Sequence, residues 1–328
     1  MTSGVQFDGS VEHFVTLFDL AFLPQGLALH ESLLTHCPKV CLWVIAMDAE
    51  CLDALRRLDR PGIHIIPLAE IEDDRLRKVK PGRKRGEYCW TLTPFSIQAV
   101  FARDPTACRV TYLDADLWFL RSPMELLARM SDRNSSVLIT EHLYDPDYDQ
   151  SALSGRFCVQ FLTIQNDGPG LGIVQWWGER CLEWCFDRIE PERFGDQKYL
   201  NRWPEMIGDG LYIVSDRGSF TAPWNYRWTG ADTGKAIFHH FHNFRLMSPS
   251  TCRWWHFYDL GTGADALYAC YTGSIGRQLA LMETQGITPR WIPESHPPGI
   301  MEFLRRVKAR MQGRIRYGAI PRGVRVSP

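Results

Sequence analysis

Val40–Ala46 is an uninterrupted run of seven apolar residues, and it narrows most sharply what this chain can fold into. A strand that apolar needs cover on both faces, the environment of a parallel sheet flanked by helices. Its neighbours fit that setting. His13–Phe18 reads as a strand before it and Ile63–Ile66 as a strand after it. Between them the sequence predicts a helix from about Gln25 to Thr35 behind Pro24, and another to about Leu58 behind Asp48. The Asp48 carboxylate can accept from the first free amides of its helix. Strands separated by helices of this length pair in parallel through right-handed crossovers. Further on, Glu87–Ala102 predicts a helix and Val110–Leu113 a fourth strand. Val137–Thr140 and Phe157–Ile164 predict two more strands, and Gly172–Ile189 a helix packing Trp176, Trp177 and Trp184 on the core. The expectation is an α/β domain over residues 1–260 with a central, mostly parallel sheet and helices on both faces.

Residues 261–328 differ in texture and predict a basic C-terminal extension, helical in part. Glu302–Arg325 carries eight Arg or Lys and one acid, interleaved with Phe303, Leu304, Val307 and Met311. Two readings stand: an amphipathic helix in peripheral contact with a membrane, or a packed terminal helix with a solvated rim. Glu70–Arg85 starts acidic and ends basic. It reads either as a solvated loop or as a mobile basic loop folding over an anionic ligand.

Formal net charge is -1, which supplies no global attraction to nucleic acid. The ten cysteines include no CxxC pair and so carry no metal or redox signature. Met1–Asp8 lacks a signal-peptide pattern, and no run of roughly 18 apolar residues is present. These point to a cytoplasmic protein, with the inner face of the membrane as the place for any peripheral contact.

The chemistry centres on Tyr112-Leu113-Asp114-Ala115-Asp116, at the end of the fourth strand. In a strand, residues two apart share a face, so Asp114 and Asp116 are expected to converge. Two ionised carboxylates that close repel unless a proton or cation lies between them. Oxygen ligands suit Mg²⁺ or Mn²⁺, which complete their shells with substrate phosphates. Asp196 and Gln197 stand at a predicted helix start, where a capping role for Asp196 is the ordinary expectation. Trp224 and Asn225 follow Pro223 in an aromatic loop suited to stacking on a sugar. His239, His240 and His242 crowd four positions, and His240 and His242 would share a strand face.

In this order the segments resemble the GT-A nucleotide-sugar transferases, in particular the glycogenin and lipopolysaccharide galactosyltransferase family (family eight). Phe14–Asp19 resembles that family's first strand, which meets the nucleoside through Phe18 and Asp19. Asp114, Ala115 and Asp116 match its metal-binding YLDAD, and Asp196-Gln197 with Leu200-Asn201 its DQxxLN beside the transferred sugar. Trp224-Asn225 resembles the asparagine-bearing loop, and His240-Phe241 the third metal ligand, with His242 as alternate. Glu87–Thr91 resembles the helix covering the donor, which adds Tyr88 and Thr91, and Arg85 or Arg245 could meet phosphate charge.

Two departures stand out. Cys158-Val159-Gln160 replaces the family's asparagine before Ala-Gly, and Asn243 replaces the glycine after its HFx. The resemblance implies a Rossmann-like GT-A fold and a bacterial enzyme of lipopolysaccharide or surface-polysaccharide synthesis. Such an enzyme uses Mn²⁺ or Mg²⁺ and moves a sugar from a nucleotide diphosphate, UDP-sugar first, to a glycan or lipid-linked acceptor. Retention is implied; Asp196 or Glu141 acting as general base would give inversion. A nucleotidyltransferase and an inactive carbohydrate-binding relative remain as alternatives.

Overall fold

The computed structural model describes residues 11–229, 234–294 and 299–321. Its strands, in chain order, are β1 (Glu12–Phe18), β2 (Val40–Ala46), β3 (Ile63–Pro67), β4 (Arg109–Leu113) and β5 (Leu117–Phe119). Then follow β6 (Val137–Glu141), β7 (Phe157–Gln165), β8 (Leu211–Val214) and β9 (Phe220–Thr221). β10 (Phe238–His240), β11 (Arg245–Ser248), β12 (Thr251–His256) and β13 (Ile315–Ala319) complete them.

Seven strands form the central sheet in the order β3-β2-β1-β4-β7-β6-β8. β3, β2, β1 and β4 run parallel, as does the β6–β8 pair, while β7 runs against both β4 and β6. The sheet is therefore mostly parallel, as the apolar runs predict. Leu42, Val44 and Phe14 are sealed on one face, Val15, Ile45 and Val110 on the other. Such two-sided burial is why these strands read as continuous rather than alternating hydrophobes. The crossover helices are Leu23–His36 and Ala49–Leu58, the second capped by Asp48, whose carboxylate accepts from the Cys51 amide at 2.8 Å. Gly26 permits a close approach: a Cβ there would stand 2.3 Å from the Phe18 ring.

Three expectations need correction. Glu70–Arg85 is neither loop nor free flap. It contains a helix at Asp74–Val79, the Lys80–Glu72 pair (2.6 Å) braces it internally, and the Arg75–Glu179 pair (2.7 Å) ties it to the following fold. The helix placed at Gly172–Ile189 runs from Gly168 to Glu183, because Asp167 caps it through the Gly170 amide two turns before Trp176. Trp184 closes it as C-cap and packs against Phe186 instead of continuing a helical stripe.

Nor do residues 261–321 form a separate extension. β13 pairs antiparallel with β12, which lies before the expected boundary. The helix Asp265–Thr284 packs on Leu23–His36, where Glu31 meets Arg277 (2.7 Å), Gln278 (2.8 Å) and Ser274. Tyr271 of that helix stacks on Phe241 at 3.7 Å, supporting the histidine strand from behind. Arg322 and Arg325 of the basic C-terminus lie outside the described residues, as do Met1–Asp8.

Candidate active site

Asp114 and Asp116 do converge, but a turn rather than strand alternation brings them together. β4 ends at Leu113; the Leu117 amide then donates to the Asp114 carbonyl at 3.2 Å, and the chain reverses into β5. β5 pairs antiparallel with β10, setting Leu117 opposite His240, and the Phe241 amide donates to the Asp116 carbonyl at 2.9 Å. His240 Nε2 consequently lies 3.1 Å from Asp116 and 3.7 Å from Asp114. Ligand atoms of the three residues all fall within 4.8 Å of one another.

Electrostatics at this cluster favour a positive charge. Burial opposes charge on His240, yet the Asp116 and Asp114 carboxylates hold its pKa well above the usual imidazole range. Burial likewise pushes against Asp116, but the facing imidazolium brings it down to about 2. Asp114, where burial and the Asp116 charge outweigh His240, rises to about 6. Without a divalent ion, the protonated histidine supplies the positive charge that two close, partly buried carboxylates require. Two carboxylates and an imidazole fit Mn²⁺ or Mg²⁺ by donor type, with open positions for substrate oxygens.

Gln160 decides which histidine nitrogen faces the carboxylates. Its carboxamide oxygen stands 2.8 Å from His240 Nδ1, and its amide donates to Thr140 Oγ1 at 3.3 Å. Nδ1 thus carries a proton and Nε2 points into the site, a common arrangement behind histidine ligands. Gln160 is fully buried. The signal for it lay in the sequence, since a glutamine inside the apolar run Phe157–Ile164 needs a partner. Its task emerges only when β7 lies beside β4.

Asp114, Asp116 and His240 line a cavity of about 710 Å³. Phe18, Asp19, Arg85, Ala115, Asp196, Gln197, Trp224, His242 and Arg245 also line it. Arg85 is already paired with Asp19 (2.5 Å) and Asp48 (2.8 Å). Asp19 in turn accepts from the Ala21 and Phe22 amides, closing the turn after β1. Asp196 makes no capping bond at the Gln197–Arg202 turn, contrary to its ordinary reading. Its carboxyl is buried, and that burial, opposed by Thr93 and reinforced by Asp114, pushes its pKa up to about 7. Gln197 donates to the Ser154 carbonyl at 2.9 Å, which orients it in the pocket wall.

Three expected contacts are turned elsewhere. The Tyr88 hydroxyl donates to Glu72 (2.7 Å) and Thr91 Oγ1 to the Glu87 carbonyl (2.8 Å). Asn225 accepts from the Ala222 amide (2.8 Å) and donates to the His142 carbonyl (3.1 Å), so it builds the loop that presents Trp224. Glu141 pairs with Arg156 at 2.5 Å and does not line the cavity. His239 faces away, toward Thr221 and Tyr268.

Residues beyond the expected set complete the wall, chiefly His142, Tyr144 and Tyr258. His142 stacks on Tyr144 at 4.5 Å, and Trp224 meets His142, His240 and His242 edge-on at 5.3 to 5.4 Å. Asn243 has φ 65, the left-handed region that favours glycine and tolerates asparagine best among the rest.

The sheet, with its DxD turn at the centre and histidine strand alongside, is the GT-A glycosyltransferase fold. A solved structure of the bifunctional glycosyltransferase WbbM shares it with a TM-score of 0.50 at 12% identity, over 85% of this chain and 52% of that one. No family model matches the chain. The chain belongs to the family of YfnF and YfnD, two uncharacterized proteins of Bacillus subtilis (strain 168). It is 30% identical to YfnF over 252 residues, covering 72% of this chain and 82% of YfnF. YfnD is 30% identical over 255 residues, 73% of this chain and 80% of its own length.

Proposed function

We propose that this protein is a metal-dependent glycosyltransferase. It moves a sugar from a nucleotide diphosphate donor, UDP-sugar first, to a hydroxyl of a glycan or lipid-linked acceptor in surface-polysaccharide synthesis. The observation that carries this reading is the convergence of Asp114, Asp116 and His240 in a pocket whose wall also holds Asp196 and Gln197. A bound Mn²⁺ or Mg²⁺ would supply positive charge for the departing diphosphate.

The chain's own residues supply the rest. Asp114, Asp116 and His240 would hold the ion, with Gln160 keeping Nε2 aimed inward. Arg245 adds a second positive charge near Asp116, lowering the cost of a diphosphate beside two carboxylates. Asp196, ionised, stabilises positive charge developing on the sugar ring, while the Gln197 amide binds sugar hydroxyls. Trp224 and the His142–Tyr144 stack offer flat surfaces to an incoming sugar, and their burial excludes water. Retention follows the family resemblance.

The nucleotidyltransferase alternative lacks support at the β1 turn. Asp19 closes that turn with its carboxylate, where such enzymes place a glycine-rich phosphate cradle. The experiment incubates purified protein with Mn²⁺ and each common nucleotide sugar and follows release of nucleoside diphosphate. Slow hydrolysis of one donor, lost in Asp116→Ala and in EDTA, is the expected result. Pyrophosphate release would assign a nucleotidyltransferase instead. Donor binding without turnover would assign the inactive relative.

A further inference from the structure

The helix Ile300–Met311 is built inside out. Ala309 is buried, and Glu302 and Arg306 turn toward the protein and pair at 3.3 Å. Ile300, Met301, Phe303, Leu304, Val307 and Met311 face solvent, at 40 to 84% exposure. They account for six of the eleven exposed large hydrophobic residues among those described. Holding an apolar stripe in water does nothing for folding, and contiguous patches of this kind mark contact surfaces. On the 3.6-residue period Lys308 and Arg310 flank the stripe, one on each side, with Arg305 just behind. Glu302 is the helix's one acid, and its carboxylate also meets Arg305 at 3.4 Å, away from the stripe.

We propose that this helix lies flat on an anionic lipid surface, its apolar stripe among the acyl chains and Lys308 and Arg310 among headgroup phosphates. Charge selects this occupant. Two copies meeting through the same face would bring like cations together along the seam, whereas anionic headgroups neutralise them. The helix and the turn after it also touch Phe257. The Arg305 guanidinium lies 4.5 Å over the Phe257 ring, and Arg314 donates to the Phe257 carbonyl at 3.2 Å. Phe257 has φ 64, a conformation aromatic residues seldom adopt, and the next residue, Tyr258, lines the cavity.

The test is sedimentation of the full chain with vesicles of phosphatidylcholine, with and without phosphatidylglycerol. Binding should appear with phosphatidylglycerol, weaken in pure phosphatidylcholine and fall with added salt. A Phe303→Ser/Leu304→Ser variant should bind roughly tenfold or more weakly, because both side chains leave the acyl region. Lys308→Glu/Arg310→Glu should lose the preference for phosphatidylglycerol. All four side chains are exposed, so unchanged melting temperatures and unchanged donor hydrolysis are expected for both variants. Wild-type protein that ignores every vesicle, or a serine variant that binds as well as wild type, overturns the proposal. So does a wild-type dimer in sedimentation velocity that the serine variant dissociates without any vesicle binding; the face would then join two copies. The readout is lipid binding, so it stands apart from whether the pocket transfers sugar.

Discussion

Replacing Asp196 with asparagine is expected to stabilise the metal-free protein while removing activity. The residue is 4% exposed, and burial above all pushes its pKa up to about 7. In an unfolded chain the same group titrates near ~3.9. Between about pH 4 and pH 7 the folded protein therefore keeps a proton that the unfolded chain has released. Stability falls as pH rises through that window and the loss is complete above the folded pKa. Three units at about 1.4 kcal/mol each set a ceiling of about 4 kcal/mol, and partial hydration of the pocket reduces this to about 1–3 kcal/mol.

Asparagine matches the protonated acid in shape and has no proton to release, so it escapes the penalty. Urea unfolding in EDTA would be followed at pH 5 and at pH 8. The variant should gain stability over wild type at pH 8, and the gain should shrink toward pH 5. A difference that stays constant across that range, or a variant less stable at pH 8, would refute the reasoning. The same variant should lose donor hydrolysis by about 10²-fold or more if the ionised carboxylate stabilises ring charge.

Gln160→Leu should weaken Mn²⁺ binding about tenfold to a hundredfold, measured by calorimetry; a Kd within about twofold of wild type would remove Gln160 from the site's design. Donor hydrolysis should rise with pH through about 7 as Asp196 ionises, because the charged form is the working one. A profile flat from pH 6 to 8 counts against that role. Gly26→Ala should lower stability by about 1–3 kcal/mol in thermal melts, since its Cβ would meet the Phe18 ring at 2.3 Å. Because Phe18 lines the pocket, KM for the donor should rise as well.

The parts of this molecule that are legible in the sequence are those set by local patterning. Val40–Ala46 is apolar throughout because helices cover both its faces, and Asp48 caps its helix through an amide three residues away. Both facts depend on near neighbours, so both can be read along the chain. The acidic pair and the histidine cluster are legible for a related reason, since polar groups beside apolar runs require a purpose.

Long-range packing decided the remainder. Asp116 reaches the site by a turn whose direction comes from β5 pairing with β10, over a hundred residues away in the chain. Thr91, Tyr88 and Asn225 have the right chemistry for a donor site, but nearer backbone and carboxylate partners claim their polar atoms. The stretch 300–319 reads as a basic tail because charge composition does not say which side of a helix meets the protein. Only the packing against Phe257 and β13 turns Ala309 inward and leaves the apolar stripe facing out. A side chain's type is a local property, whereas its direction is set by elements distant in sequence, and at this site direction decides which residues can act.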